Sequence, residues 1–182
     1  MARVPYVDRE EMDAEGQAIY DRIRQDRNAP RVGLQFRALL HNPKAAGFLT
    51  SMGAVLRFQS ALPEDVKEFA ICVLAREWNS DIEWTAHAPL AEKAGVGAEA
   101  IEAVRTGKAP AGLNDREKVI LAFAHELLRK KSLSDETFAA AQKLLGMKGA
   151  VDLTLTCSYY TAINMAQAAL KPELEPGKAS TL

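Results

Sequence analysis

Hydrophobic residues recur at three- and four-residue spacing along most of the chain, from Glu10 to Leu170, whereas alternating runs of β-branched residues are almost absent. This spacing is the period of an amphipathic α-helix. Prolines and glycines separate the periodic segments at Pro30, Gly33, Pro43, Pro63, Gly95, Gly97, Gly107 to Gly112, Gly146 and Pro172. The pattern predicts an all-α fold of about eight helices.

Three segments form a predicted N-terminal helical layer. They run roughly from Arg9 to Arg27, from Gly33 to Leu40 and from Lys44 to Gln59. The apolar stripe of the third segment is predicted to contain Phe48, Met52, Val55 and Leu56.

The clearest pattern predicts a helix from Pro63 to about Trp78. Proline is favoured in the first turn of a helix, because the amide that it lacks would have no intrahelical partner there. The apolar positions that follow have the i, i+3, i+4, i+7, i+8 spacing of a buried face, and they are Val66, Phe69, Ala70, Val73 and Leu74.

The next helix is predicted to begin after Ser80. Ser80 and Glu83 have the S-x-x-E spacing in which a hydroxyl and a carboxylate satisfy free amides at a helix start. Further along, Pro89 removes a backbone hydrogen bond, so we expect a kink or an early end near His87.

Later helix starts are predicted at Asn114, with Glu117 completing a capping box, and at Ser134, followed by Thr137. Gly146 is a candidate C-terminal cap, and a last long helix follows from about Lys148 to Leu170. Two prolines and few apolar groups after that helix predict a flexible tail. The expected organisation is one helical domain, residues 1–170, and a tail, residues 171–182.

The charge balance and the hydrophobic runs of the chain bear on its partners and its location. Lysine and arginine number 23 against 24 acidic residues, so the formal net charge is -1 and nucleic acid is not an expected partner. No apolar run is long enough to span a bilayer, so no membrane association is expected. The N-terminus carries charges where a signal peptide needs apolar residues, and a cytoplasmic location is therefore expected.

Common motifs for enzymes are missing from the sequence. It contains no nucleotide-binding glycine loop and no G-x-S-x-G elbow, and His125 with Glu126 begins an H-E pair that no second histidine completes. The two cysteines, Cys72 and Cys157, lie in apolar helical patterns without a second cysteine at redox or zinc spacing. Both are expected to be reduced core residues.

One stretch concentrates side chains that can transfer protons. Glu83 and His87 are four residues apart and share a helix face. Glu68 has apolar neighbours, where a carboxylate is costly unless it is paired or protonated. If the two helices form an antiparallel hairpin around Asn79 to Asp81, residues equally far from the turn approach each other, and Glu68 lies near the second helix beyond His87. A carboxylate beside an imidazole orients it and raises its pKa, which predicts general acid or base chemistry.

Each of these residues also has a structural interpretation. Glu83 could act mainly as the capping partner of Ser80, and His87 could be an ordinary buried histidine. Glu68 could simply favour the first turn of its helix. Trp84 could be a core or interface aromatic instead of a pocket wall. Carboxylates with a histidine at this spacing are common on helices, so no metal is predicted.

The segment from Glu68, EFAICVLAREWNSDIEWTAHAPLAEKAGV, resembles the signature of the carboxymuconolactone decarboxylase family over about thirty residues. Glu68, Glu83, Trp84 and His87 carry the resemblance. The same register is similar to alkylhydroperoxidase D, whose C-x-x-C cysteines are here replaced by Ser80 and Glu83. Because peroxide reduction in that branch depends on a thiolate and a resolving thiol, thiol peroxidase activity is not expected.

The resemblance implies an alkylhydroperoxidase D-like helical bundle and a cofactor-independent lyase or isomerase of aromatic compound catabolism. Its substrate would be a small carboxylated lactone or a related ring-cleavage product. His87, Glu68 and Glu83 would transfer the proton, with Trp84 as a possible pocket wall. A homo-oligomer, a trimer or hexamer, is also implied. Two alternatives stay open: a non-enzymatic helical assembly or binding protein, and an atypical antioxidant enzyme.

Overall fold

The computed structural model describes residues 1–109 and 111–182, and over those residues it contains α-helices and no strand. The helices are α1 (Ala14–Asp26), α2 (Leu34–Arg37), α3 (Pro43–Phe58), α4 (Glu64–Glu77), α5 (Asp81–Lys93), α6 (Ala98–Thr106), α7 (Asp115–His125) and α8 (Asp135–Leu170). A 3₁₀ turn, Arg9–Glu11, precedes α1, and a π-helical turn, Glu126–Lys130, follows α7. The all-α prediction is confirmed.

The chain divides into two compact units. The first contains Met1–Gln59 with Met165–Lys178, and it is built on α1 to α3. The second contains Ser60–Asn164 with Ala179–Leu182, and it is built on α4 to α7 and most of α8. No helix of the described residues is long and apolar enough to cross a membrane.

In the first unit α1 packs against α3 through small side chains. The buried positions of α3 are Ala46, Gly47, Thr50, Gly53 and Leu56. A Cβ added at Gly47 would lie 2.6 Å from Nη2 of Arg22 and 3.2 Å from Cγ2 of Ile19, both on α1. A side chain at this position would displace the Arg22 guanidinium and press on Ile19, so glycine allows the close approach of the two helices.

Three of the four residues in the predicted apolar stripe of α3 are exposed. Phe48 is 81% exposed, Val55 is 49% exposed and Met52 is 37% exposed, whereas Leu56 is buried. Phe58 at the end of the helix is 57% exposed. These four exposed residues, Phe48, Met52, Val55 and Phe58, form what we call the α3 stripe. Hydrophobic spacing identified an apolar face, but the face that packs on α1 is the one with small residues.

Two helices begin slightly later than predicted. The carboxylate of Asp13 accepts a hydrogen bond from the amide of Gly16, so α1 starts after it and the Arg9–Glu11 segment forms a separate 3₁₀ turn. Pro63 has an extended ψ of 144° and is the N-cap of α4, and the helix begins at Glu64.

Other boundaries follow the predicted caps. Asn114 and Glu117 form the capping box of α7. The Ser134 hydroxyl accepts a hydrogen bond from the amide of Thr137 at the start of α8. Gly146, with φ 72°, interrupts α8, so the second part of α8 begins where the sequence predicts the last long helix.

Helix α4 is the centre of the second unit. Every residue from Val66 to Ala75 is buried, and α4 packs against α5, α6 and α7. The buried face predicted for this helix is confirmed, and the opposite face, which carries Glu68 and Cys72, is buried as well. A helix that is buried on all sides is typical of a protein core, and here it holds a carboxyl group inside that core.

Helices α4 and α5 form the predicted hairpin. Asn79, with φ 49°, adopts the left-handed conformation that reverses the chain between them. The hydroxyl of Ser80 accepts a hydrogen bond from the amide of Glu83 at 3.3 Å, so Ser80 is the predicted N-cap of α5. The helix then continues through Pro89 to Lys93, so it does not end early near His87.

Candidate functional site

The hairpin of α4 and α5 places Glu68 against His87. Oε2 of Glu68 lies 2.5 Å from Nδ1 of His87, which is a short hydrogen bond. The two side chains are only 1% and 3% exposed. The carboxyl group that the sequence places in apolar surroundings therefore has the buried partner that such a group requires.

The other ring nitrogen of His87 faces Glu83 and Tyr160. Nε2 lies 3.4 Å from Oε2 of Glu83, one turn earlier on α5, and 3.4 Å from the hydroxyl of Tyr160 on α8. The rings of His87 and Tyr160 meet edge-on, with centroids 5.3 Å apart. Three helices thus contribute to what we call the His87 cluster: Glu68, Glu83, His87 and Tyr160, all buried.

The pKa of His87 reflects two opposing effects. Burial alone lowers it, because an imidazolium loses its hydration in the core. Hydrogen bonds and charges from Glu68 and Glu83 act in the opposite direction and outweigh burial, so the pKa is raised above its ordinary value of 6.5. His87 therefore retains a proton at a higher pH than a free imidazole does.

The geometry distinguishes the two nitrogens of His87. In the imidazolium form, Nδ1–H donates the 2.5 Å hydrogen bond to Glu68, which fixes the orientation of the ring. Nε2–H faces Glu83 and Tyr160 over the longer distance of 3.4 Å. A proton is more easily transferred from the nitrogen with the weaker contacts, so Nε2 is the atom suited to acid or base chemistry.

Two unpaired polar atoms accompany Tyr160 on α8. Thr156 and Asn164 lie one turn before and one turn after Tyr160, on the same helix face, and both are buried. Among the described residues, Oγ1 of Thr156 and Oδ1 of Asn164 have no hydrogen-bond partner. Buried polar atoms are normally hydrogen-bonded. These two atoms are therefore available to a bound molecule.

Both cysteines are buried and unpaired, as the sequence predicts. Burial raises the pKa of the Cys72 thiol well above its ordinary range, and the nearby charge of Glu68 adds to that effect. Burial alone raises the pKa of Cys157 to about 12. Neither sulfur has the low pKa that marks a nucleophilic or redox-active cysteine.

Trp84 is buried on α5 and lines a cavity of about 260 Å³ together with Pro89, Glu92 and Ile101. The residues that line this cavity do not include Glu68 or His87. Contact between Trp84 and a substrate therefore stays a prediction.

Tyr160 is a member of the His87 cluster for which the sequence predicts no role. It lies 73 residues after His87, and no local pattern connects the two. The available signal was a polar pair, Tyr160 and Asn164, at helical spacing within the mostly apolar α8. Within the described part of the chain, no group of three or more histidine, cysteine, aspartate or glutamate side chains is placed to hold a metal ion.

Comparison with known proteins identifies the fold. No protein-family model matches the sequence, and no curated protein sequence matches it either. The structure is similar to the crystal structure of an alkylhydroperoxidase AhpD core, an uncharacterized peroxidase-related protein from Ralstonia eutropha JMP134. The TM-score is 0.78 and the sequence identity is 14%, over 96% of this chain and 93% of that chain. The chain therefore has the AhpD-like fold that the sequence predicts.

Proposed function

Given the AhpD-like fold, we propose that the protein is a cofactor-independent lyase or isomerase that acts on a small carboxylated lactone or a related ring-cleavage product. One observation carries the proposal: a buried imidazole, His87, is held at Nδ1 by Glu68 and presents Nε2 to Glu83 and Tyr160. This is the arrangement of an oriented proton donor.

A purely structural role explains the His87 cluster less well. Moving a charged group from water into the core costs on the order of several kcal/mol per ion. The attraction between the two buried charges of an ion pair often does no more than offset that cost. Apolar residues of similar size would fill the same space without the free-energy cost of burying charges. Strongly perturbed titratable groups with specific partners are instead typical of functional sites.

The proposed reaction is a decarboxylation followed by proton transfer. The bond between the substrate carboxylate and its ring carbon breaks, carbon dioxide leaves, and the electron pair is delocalised into the unsaturated lactone. Nε2–H of His87 then delivers a proton to carbon, while Glu68 stabilises the imidazolium through Nδ1. An isomerase would use the same nitrogen to remove a proton and return it to a different carbon.

The polar atoms beside the cluster fit such a substrate. Oγ1 of Thr156 can donate a hydrogen bond to a lactone or carboxylate oxygen, and Oδ1 of Asn164 can accept one from a hydroxyl. Because the cluster is buried, substrate reaches Nε2 only after neighbouring side chains move. We therefore expect a conformational step before the chemical step.

The proposal includes assembly of several copies. The α3 stripe, Phe48, Met52, Val55 and Phe58, exposes large apolar side chains along one helix, which supports a contact with a second copy of the chain. We expect a trimer or hexamer by light scattering. A Phe48→Glu variant is expected to shift the mass downward, and a monomeric wild-type protein would contradict this part of the proposal.

The experiment for the proposed activity is incubation of the purified protein with γ-carboxymuconolactone and measurement of carbon dioxide release. We expect release by the wild type and loss of at least about 100-fold in His87→Ala, within the range for loss of an acid–base group. Lys93→Gln is the matched control, because it removes an exposed charge from the same helix, α5, at a residue outside the cavity that Trp84 lines. Circular dichroism verifies that each variant is folded.

Other outcomes distinguish the alternatives. Binding of the lactone without turnover would favour a binding protein. Reduction of peroxide that disappears in Cys72→Ser would favour an antioxidant enzyme and would contradict the assignment of Cys72 as an inert core residue. Equal carbon dioxide release by wild type and His87→Ala would refute the role of His87.

A further inference from the structure

A second cavity in the second unit lies among α4, α6 and α7. Its volume is about 520 Å³, within the range of roughly 300 to 1,000 Å³ that is typical of small-molecule sites. Val73, Val104 and Leu121 give it an apolar wall. The residues that line it include no member of the His87 cluster, so it is a separate site.

The charged residues of this cavity are mainly cationic. Arg76, Lys118 and Arg129 line it together with one carboxylate, Glu77. Nε and Nη2 of Arg129 donate to the two oxygens of Glu77, at 2.9 and 2.5 Å, and Nε2 of His125 lies 3.3 Å from the same carboxylate. The Arg129 guanidinium holds the pKa of Glu77 below its ordinary value even though partial burial opposes this, so Glu77 is a fixed negative charge.

The net charge of the cavity suits a monoanion. Glu77 neutralises one of the three cations, and Asp115, which is fully exposed, pairs with Lys118 at 3.1 Å. One formal positive charge remains. A singly charged ligand balances it, whereas a dianion would leave an excess of negative charge in a partly apolar cavity.

Hydrogen bonds hold both arginines in place while leaving donors for a ligand. Arg76 donates from Nε to the carbonyl of Arg105 at 2.9 Å and from Nη1 to Oδ1 of Asn79 at 2.5 Å. Nη2 of Arg76 takes part in neither bond, and it lies 3.7 Å from where a Cβ on Gly107 would be. Nη1 of Arg129 is likewise outside the pair with Glu77. Donors fixed in this way lose little freedom when a ligand binds.

The backbone that carries Arg129 is unusual. It belongs to the π-helical turn Glu126–Lys130, which follows His125 directly. Such turns within α-helices are frequently found at functional sites. The carboxylate of Glu126 anchors this turn by accepting hydrogen bonds from the amide of Ser134 and from Nζ of Lys130, which lower its pKa to about 2.

We propose that this cavity binds a small organic monocarboxylate. Its carboxylate contacts Arg76, Arg129 and Lys118, and its apolar body packs against Val73, Val104 and Leu121. The site is distinct from the proposed catalytic centre and does not require that centre to be active.

The experiment is a titration of the full-length protein with sodium benzoate, monitored by calorimetry and by amide chemical shifts. Dissociation constants on the order of 1 mM or below are expected for the wild type. Lys118→Gln and Arg76→Gln should each weaken binding at least about fivefold. Lys143→Gln is the matched control, because it removes an exposed cation that does not line the cavity, and it should change binding less than about twofold.

Neutral and dianionic probes identify the ligand class. Benzamide and inorganic phosphate, the latter at a pH well above its second pKa so that it is a dianion, should each bind at least about tenfold more weakly than benzoate. His87→Ala should bind benzoate as the wild type does, so failure of the proposed lyase activity leaves this result unaffected. No binding up to about 20 mM, equal affinity for benzamide or phosphate, or identical affinity in Lys118→Gln and Arg76→Gln would overturn the proposal.

Discussion

The short hydrogen bond between Glu68 and His87 makes a quantitative prediction for the variant Glu68→Gln. Glutamine has nearly the same shape and can still accept a hydrogen bond from Nδ1, but it has no negative charge. The variant should therefore keep the orientation of the ring while removing the hydrogen bond to a charged carboxylate, which is the largest of the effects that raise the pKa of His87. We expect the pKa of His87 to fall.

The size of the change follows from the strength of the bond. A hydrogen bond to a charged group contributes about 1.5 to 3 kcal/mol, and one pKa unit corresponds to about 1.36 kcal/mol. Replacing Glu68 should remove a large part of this free energy from the imidazolium form, so the pKa of His87 should fall. Glu83 and its charge remain at 3.4 Å from Nε2 and limit the decrease.

The assay is a titration of the imidazole resonances by NMR. The chain has three histidines, so the signal of His87 can be assigned from its absence in a His87→Ala variant. Glu92→Gln, which removes an exposed carboxylate from the same helix, should change the pKa by less than about 0.3 units, because exposed charges are strongly screened. An unchanged or higher pKa in Glu68→Gln would refute the reasoning.

The same variant should show a pH-dependent loss of stability. Because the pKa of His87 is raised in the folded protein, its contribution is fully present below the unfolded value of about 6.5 and is lost as pH rises through the folded value. Denaturant unfolding should therefore show the largest destabilisation of Glu68→Gln at about pH 6, decreasing as pH rises above the unfolded pKa and through the folded one. A difference that grows with pH would contradict this linkage.

Three other predictions follow from the structure. Tyr160→Phe should lower kcat/KM of the proposed reaction by roughly 3- to 10-fold. Tyr159→Phe is the control, and an equal loss of kcat/KM in the two variants would exclude a specific role for Tyr160. Cys72 and Cys157 should both resist a thiol reagent in the native protein at about pH 8 and react in denaturant, because little thiolate forms when burial raises the thiol pKa. Rapid labelling of the folded protein would contradict this prediction. Phe69→Ala should cost about 3 to 5 kcal/mol in the free energy of unfolding, since Phe69 is buried in α4, and a cost below about 1 kcal/mol would argue against that packing.

Several features could be predicted from the sequence because their causes are local. The buried face of α4 follows from hydrophobic spacing, and the start of α5 follows from the Ser80 cap. The approach of Glu68 to the second helix follows from a short hairpin, but equal distances from the turn place Glu68 beyond His87, so the direct hydrogen bond between them is not predicted.

Features that depend on distant packing could not be predicted. Hydrophobic spacing does not show which face of α3 is buried, because small residues allow the closest contact with α1. Tyr160 reaches His87 only through the path of α8, and the cavity with Arg76 and Arg129 forms only when α4 and α7 pack together. Spacing along one helix contains no information about such partners.

Proton transfer by His87 is tested most directly by NMR of γ-carboxymuconolactone turnover in deuterated water. The wild-type protein should consume the lactone, release carbon dioxide and yield a product with one deuterium on carbon, whereas folded His87→Ala should leave the lactone unchanged over the same time. Deuterated product formed at the same rate by both proteins would contradict the assignment of His87 as the proton donor.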